Sequence, residues 1–123
     1  MQYPGWHTDR DSAFGSFVLT LNGTSAPTIK RDKGKVIASV ARNGAGDYTV
    51  TLTREYAHIS AIANNLNSSN AFSKVAAVVS GGGVANTIDI ENYTESAGAH
   101  ALADETSVDV VVMYELSRSG TPL

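Results

Sequence analysis

The chain has 123 residues, 42% hydrophobic and 17% charged, with a formal net charge of −3 and no cysteine. That length suits one domain of about 100–200 residues, and a charged share below the usual ~25% favours a packed core over a disordered charged tail. Composition also excludes a global basic field for nucleic acid or anionic lipid, disulfides, thiolate zinc sites and cysteine nucleophiles, and no run approaches the roughly 18 apolar residues of a membrane helix.

No basic start followed by an apolar run marks a signal peptide. Residues 1–15 are instead aromatic and aperiodic, with Tyr3, Pro4, Gly5, Trp6, His7 and Phe14 among polar residues. Such an arm either caps its own domain or grips a neighbour. Large aromatics are costly to leave in water and are enriched at interface hot spots, so Tyr3, Trp6 and Phe14 are candidate partner-binding residues. Beyond the arm, Leu is scarce while Val, Thr, Ser, Ala, Gly and Asn are plentiful, a balance that favours strands and tight turns over helices. Strands are predicted at residues 16–21 and, as a possible extra one, 28–30. The basic stretch Lys30-Arg31-Asp32-Lys33-Gly34-Lys35 reads as a solvated loop, with contact to an acidic protein surface as the functional alternative.

Residues 36–42 and 47–53 read as a hairpin around Asn43-Gly44-Ala45-Gly46, whose glycines supply positive φ. The second arm alternates strictly: Tyr48, Val50 and Leu52 share one face, and Thr49, Thr51 and Thr53 the other. Residues 55–66 are the one serious helix candidate, but Ile59, Ala61 and Ala63 alternate, which predicts a kinked strand over 58–63. Further strands are predicted at 75–80 and 87–92, with Gly81-Gly82-Gly83 as a hairpin loop between them. Residues 95–104 read as a long loop holding one helical turn. The last strand, 107–117, puts Val108, Val110, Val112, Tyr114 and Leu116 on one face. Val111 and Met113 lie on the other face between Asp109 and Glu115, which marks them as candidates for an oligomer interface. The expected fold is all-β: a jelly-roll-like antiparallel β-sandwich of about seven to eight strands over residues 16–123, preceded by the irregular N-terminal arm.

Candidate chemistry is sparse. His7, His58 and His100 are the only imidazole bases, and no serine sits in a Gly-x-Ser-x-Gly elbow, so no catalytic residue is assigned. His7, Asp9 and Asp11 would share one side of an extended segment, but Arg10 lies among them and no fourth ligand is evident; no metal or cofactor is expected. Asp104 with Glu105, and Asp89 with Glu91, read as solvated charges. The glycine run lacks the Gly-Lys-Ser/Thr of a phosphate loop. Sequons at Asn22, Asn67 and Asn92 arise easily in so Ser- and Thr-rich a chain.

The run from Gly34 to Leu52 resembles a motif of small tailed-bacteriophage virion proteins, in which "Gly-x-Val-x-Ser-Val-x-Arg" meets "Gly-x-Tyr-Thr-Val-Thr-Leu" through a tight turn. Ala26-Pro27-Thr28 and the closing strand from Val108 to Ser119 are similar to the same group. The resemblance implies a jelly-roll-like sandwich assembled as a homotrimer, without catalysis, on the virion. Its leading implication is a head decoration (cement) protein that binds the major capsid protein and stabilises the capsid surface. The alternative is a tail fibre or receptor-binding module that attaches to host carbohydrate or protein; an enzyme or non-viral binding domain is the third class. A fibre module usually ends a longer chain with a repetitive stalk, and a start at Met1 without one favours the decoration protein.

Overall fold

A computed structural model describes residues 12–68, 71–77 and 80–117. Tyr3, Trp6 and the His7, Asp9, Asp11 group lie outside the described residues. The eight strands are β1 (Ser12–Asn22), β2 (Ser25–Arg31), β3 (Ile37–Gly44), β4 (Asp47–Asn65), β5 (Ala71–Ala77), β6 (Ser80–Ser96), β7 (Ala99–Leu102) and β8 (Thr106–Ser117). No helix occurs among the described residues.

All pairings are antiparallel, in the order β2-β1-β8-β4-β6-β5, with β3 also on β4 and β7 also on β6. The long strand β4 joins two half-sheets. Its residues 47–51 pair with β3 and β6, while residues 58–65 pair with β8. Register shifts against β6 flank Tyr56, where irregular pairing lets a strand bend from one layer into the next. The first half-sheet is therefore β2-β1-β8 with the end of β4, and the second is β3, the start of β4, β6 and β5.

The two halves close on one core, and period-two alternation decides which side chains enter it. From the first half come Phe17, Leu19, Leu21, Ile59 and the row Val108, Val110, Val112, Tyr114, Leu116; from the second come Tyr48, Val50, Leu52, Ile88 and Ile90. This is a β-sandwich-like fold. Both clear alternations in the sequence point inward as predicted, and Thr49, Thr51 and Thr53 turn away from the core.

Four local expectations change. β1 begins at Ser12, so Phe14 and Gly15 belong to a strand and not to an irregular arm; their partners Glu115 and Tyr114 on β8 supply the pairing that Ala13, Gly15 and Ser16 conceal in sequence. The strands predicted at 47–53 and 58–63 are one continuous strand. The strand predicted at 75–80 runs instead from Ala71 to Ala77, and β6 already starts at Ser80, so Gly81-Gly82-Gly83 lies inside a strand. Residues 95–104 hold no helical turn: β6 and β7 form a hairpin around Ala97 and Gly98, both at positive φ. Two positive φ values in a two-residue loop match the twist of the flanking strands.

Candidate interaction surface

The outer face of the first half-sheet carries the most telling arrangement. Cross-strand registers align Phe14, Glu115 and Ser60 in one row, then Ser16, Met113 and Ile62, then Val18, Val111 and Asn64. Phe14 is 69% exposed, Ile62 62%, Leu66 58% and Met113 49%. Val18 and Val111 are half-buried between them. Three of the sequence-predicted partner residues, Phe14, Val111 and Met113, thus share one face. Ile62 and Val18 escape prediction because the strand register, not the local pattern, brings them there, and Leu66 because it is held just past β4 by its N–H to the Asp109 carbonyl.

At one end of this face a groove of ≈ 470 Å³ is lined by Val18, Lys30, Arg31, Lys33, Leu66 and Asp109. Its floor and one wall are tied down. Asp109 accepts hydrogen bonds from Thr20 Oγ1 at 2.7 Å and Lys30 Nζ at 2.5 Å, contacts that hold its carboxyl below the usual carboxylate range, the lysine first. The backbone N–H of Leu66 donates to the Asp109 carbonyl at 2.8 Å, and the Asp109 N–H donates to Asn67 Oδ1 at 2.8 Å. Asn67 Nδ2 in turn donates to the Ser107 carbonyl at 3.1 Å. The end of β4 is thereby stitched to the start of β8. Arg31 and Lys33 stand exposed and make no ion pair among the described residues.

A second polar cluster, unforeseen in the sequence, is a latch. Arg42 Nε and Nη2 donate to the two oxygens of Asp104 at 3.0 and 2.6 Å. The N–H of Gly46 reaches Asp104 Oδ1 at 3.1 Å, and Tyr48 Oη lies 3.4 Å from it. The Arg42 hydrogen bonds draw the Asp104 carboxyl down to about 2, and burial pushes the Tyr48 phenol up to about 12. Beside this pair, the fully buried Asn92 donates to the Ala103 carbonyl at 2.9 Å and accepts from Asn65 and Ser73. The result ties the crossover between β7 and β8 to the β3–β4 turn. Asp104 is thus a clamped ion-pair partner and not a solvated loop charge. A buried amide so fully bonded leaves the Asn92 sequon no accessible acceptor in the folded chain.

The histidines fall apart in space. His58 Nε2 lies 3.6 Å from Glu115, while His100 meets the ring of Phe72 edge-on at 5.2 Å. Phe72 also stacks on Tyr93 at 5.3 Å, with Lys74 Nζ 5.6 Å from the Tyr93 centroid, on the outer face of the second half-sheet. Asp89 accepts from Thr49 at 3.0 Å, and Glu91 accepts from Tyr93 Oη at 2.7 Å with Lys74 3.8 Å away. Each is a cross-strand or near-neighbour contact on a strand face. No group of three metal-ligating side chains comes together among the described residues. No protein-family model, curated protein or solved structure matches the chain.

Proposed function

We propose that the protein is a virion structural component that works by assembly: a head decoration (cement) protein, held as a homotrimer and bound to the major capsid protein. The observation that supports this reading is the apolar band Phe14, Met113, Ile62 and Leu66 on the outer face of the first half-sheet. Fully burying a large apolar side chain is worth about 1.5–3 kcal/mol, so covering the band would stabilise an assembly by several kcal/mol. The reading assigns the chain no catalysis.

The second reading, a tail module that attaches to a host surface, draws on the stacked Phe72 and Tyr93 with His100 at their edge, since exposed aromatic rings suit the apolar faces of sugars. Immunogold labelling of purified particles from cells that make this chain separates the two. Gold over the whole shell is the outcome expected of a decoration protein, and gold confined to the tail tip turns the assignment to the second reading. Unlabelled particles overturn both.

A further inference from the structure

We propose that the groove between β2 and the end of β4 is a docking site for a short acidic segment of a partner protein, one that alternates carboxylate and aliphatic side chains. The inference deepens the assembly reading, on which it rests for the identity of the partner.

The occupant's chemistry follows from what lines the groove. Val18 and Leu66 are apolar, and Leu66 remains 58% exposed although its backbone is fixed to Asp109. An aliphatic side chain laid there removes apolar surface from water. The rim is cationic: Lys30, Arg31 and Lys33 against one carboxylate, Asp109, which already engages Lys30 and Thr20. Lys30 and Asp109 satisfy each other, so Arg31 and Lys33 are the charges left for a ligand. On a chain whose net charge is −3, this concentration of positive charge is local and directional. It selects a carboxylate-bearing partner and rejects a cationic one.

Two features suit a peptide more than a lone anion. The groove is open and of ≈ 470 Å³, several times the space a single carboxylate occupies, and its apolar floor offers an anion nothing. It is also preorganised. The Asn67 side chain bridges the Asp109 N–H and the Ser107 carbonyl, and the Lys30 side chain crosses the outer face of β1 to reach Asp109. The Asn67 and Lys30 parts of the groove do not have to order on binding, so the entropic cost of capturing an extended segment falls mainly on the Arg31 and Lys33 side chains.

The test titrates the full-length ¹⁵N-labelled protein with a capped Asp-Leu-Glu-Leu-Asp peptide and follows amide shifts. The control is the Asn-Leu-Gln-Leu-Asn peptide. Shifts should centre on Val18, Arg31, Lys33 and Leu66, and the neutral peptide should bind at least about tenfold more weakly. Affinity should fall as salt rises from about 50 to about 300 mM, because the rim charges are exposed. Arg31→Glu with Lys33→Glu, two exposed positions, should leave the remaining spectrum unchanged and weaken the acidic peptide by at least about tenfold. Leu66→Asn should weaken it without changing the salt dependence. Equal binding of the neutral peptide, shifts centred elsewhere, or inorganic phosphate alone matching the peptide's shifts and affinity would overturn the proposal. Particle binding distinguishes its failure from that of the assembly reading. A peptide-competent groove on a protein that labels no virion leaves the groove standing and removes the reading. Wild-type and double-variant proteins that decorate particles equally do the reverse.

Discussion

Gly46 combines a positive φ with backbone atoms crowding its Cβ position, and alanine substitutions at three glycines separate the conformational part from the steric one. At Gly46 φ is +64°, and an added Cβ would lie 2.4 Å from the Asn92 carbonyl oxygen, 2.6 Å from the Ala103 nitrogen and 2.8 Å from the Ala103 oxygen. Those atoms are backbone and cannot swing aside. The left-handed conformation costs alanine about 1–2 kcal/mol relative to glycine. Relieving the overlap must also move the β3–β4 turn away from β6 and the crossover. That weakens the bonds from the Asn92 N–H to the Gly46 carbonyl (2.8 Å), from the Gly46 N–H to Asp104 (3.1 Å) and from the Ala103 N–H to the Asn92 carbonyl (3.0 Å). At about 1 kcal/mol for each of the three bonds lost, added to the conformational part, Gly46→Ala should destabilise the domain by about 4–5 kcal/mol. Gly98 has φ +81° but open space around its Cβ position, so Gly98→Ala should cost only the conformational part, about 1–2 kcal/mol. Gly44 has neither constraint, and Gly44→Ala should change stability by under about 1 kcal/mol. Urea unfolding of the three variants measures the series. A Gly46→Ala variant no less stable than Gly98→Ala would refute the latch as a close-packed junction.

Further expectations follow from single residues. Val110 is buried with Val112 and Leu19 in the shared core, so Val110→Asp should abolish folding; a soluble variant with a normal melting transition would remove that assignment. The Asp104 carboxyl is depressed from 3.8 to about 2, so the stability it contributes is complete above pH 3.8 and is lost as pH falls towards 2. With its side chain 17% exposed, that contribution is about 1–2 kcal/mol after solvent screening, and Asp104→Asn should flatten the acid limb of a stability–pH profile. Tyr48 works in the opposite direction: its phenol titrates at about 12 instead of 10.0, so its share of the stability is intact below pH 10.0 and disappears as pH rises to about 12. Ala97→Asn places a residue that tolerates positive φ before Gly98 and should raise stability by about 0.5–1 kcal/mol in thermal melts.

What was legible in the sequence was whatever alternates against water. Residues 47–53 and the strand ending at Ser117 place one row of side chains in the core and the other outside it, and their period declares both faces. The missed features lack such contrast. In β7 the four residues Ala99, His100, Ala101 and Leu102 are all exposed, so no inward row exists to be recognised. The turn before it uses Ala97 where positive φ usually selects Asn or Gly. The continuity of β4 was hidden by Arg54 and Glu55, two exposed charges at the bend between half-sheets. The latch joins Arg42 to Asp104 across 62 residues, and the lining of the groove comes from β1, β2 and its following loop, Leu66 just after β4, and β8. Such constellations exist only once the strand order is known. In the sequence Phe14 stands out as part of an aromatic arm, and Val111 and Met113 as apolar residues on a polar face. Antiparallel register places all three on one surface.

Assembly requires that surface to be buried against protein when the molecule works. Sedimentation equilibrium of the full chain beside an Ile62→Lys, Met113→Asp double variant, which places opposite charges across the pair, reads whether it is. Both residues are exposed and paired across strands, so the substitutions spare the core. The expected result is a wild-type trimer and a monomeric variant that still unfolds in one cooperative transition, at a melting temperature lowered by the loss of assembly. A stable wild-type dimer, or a variant that assembles as the wild type does, would overturn it.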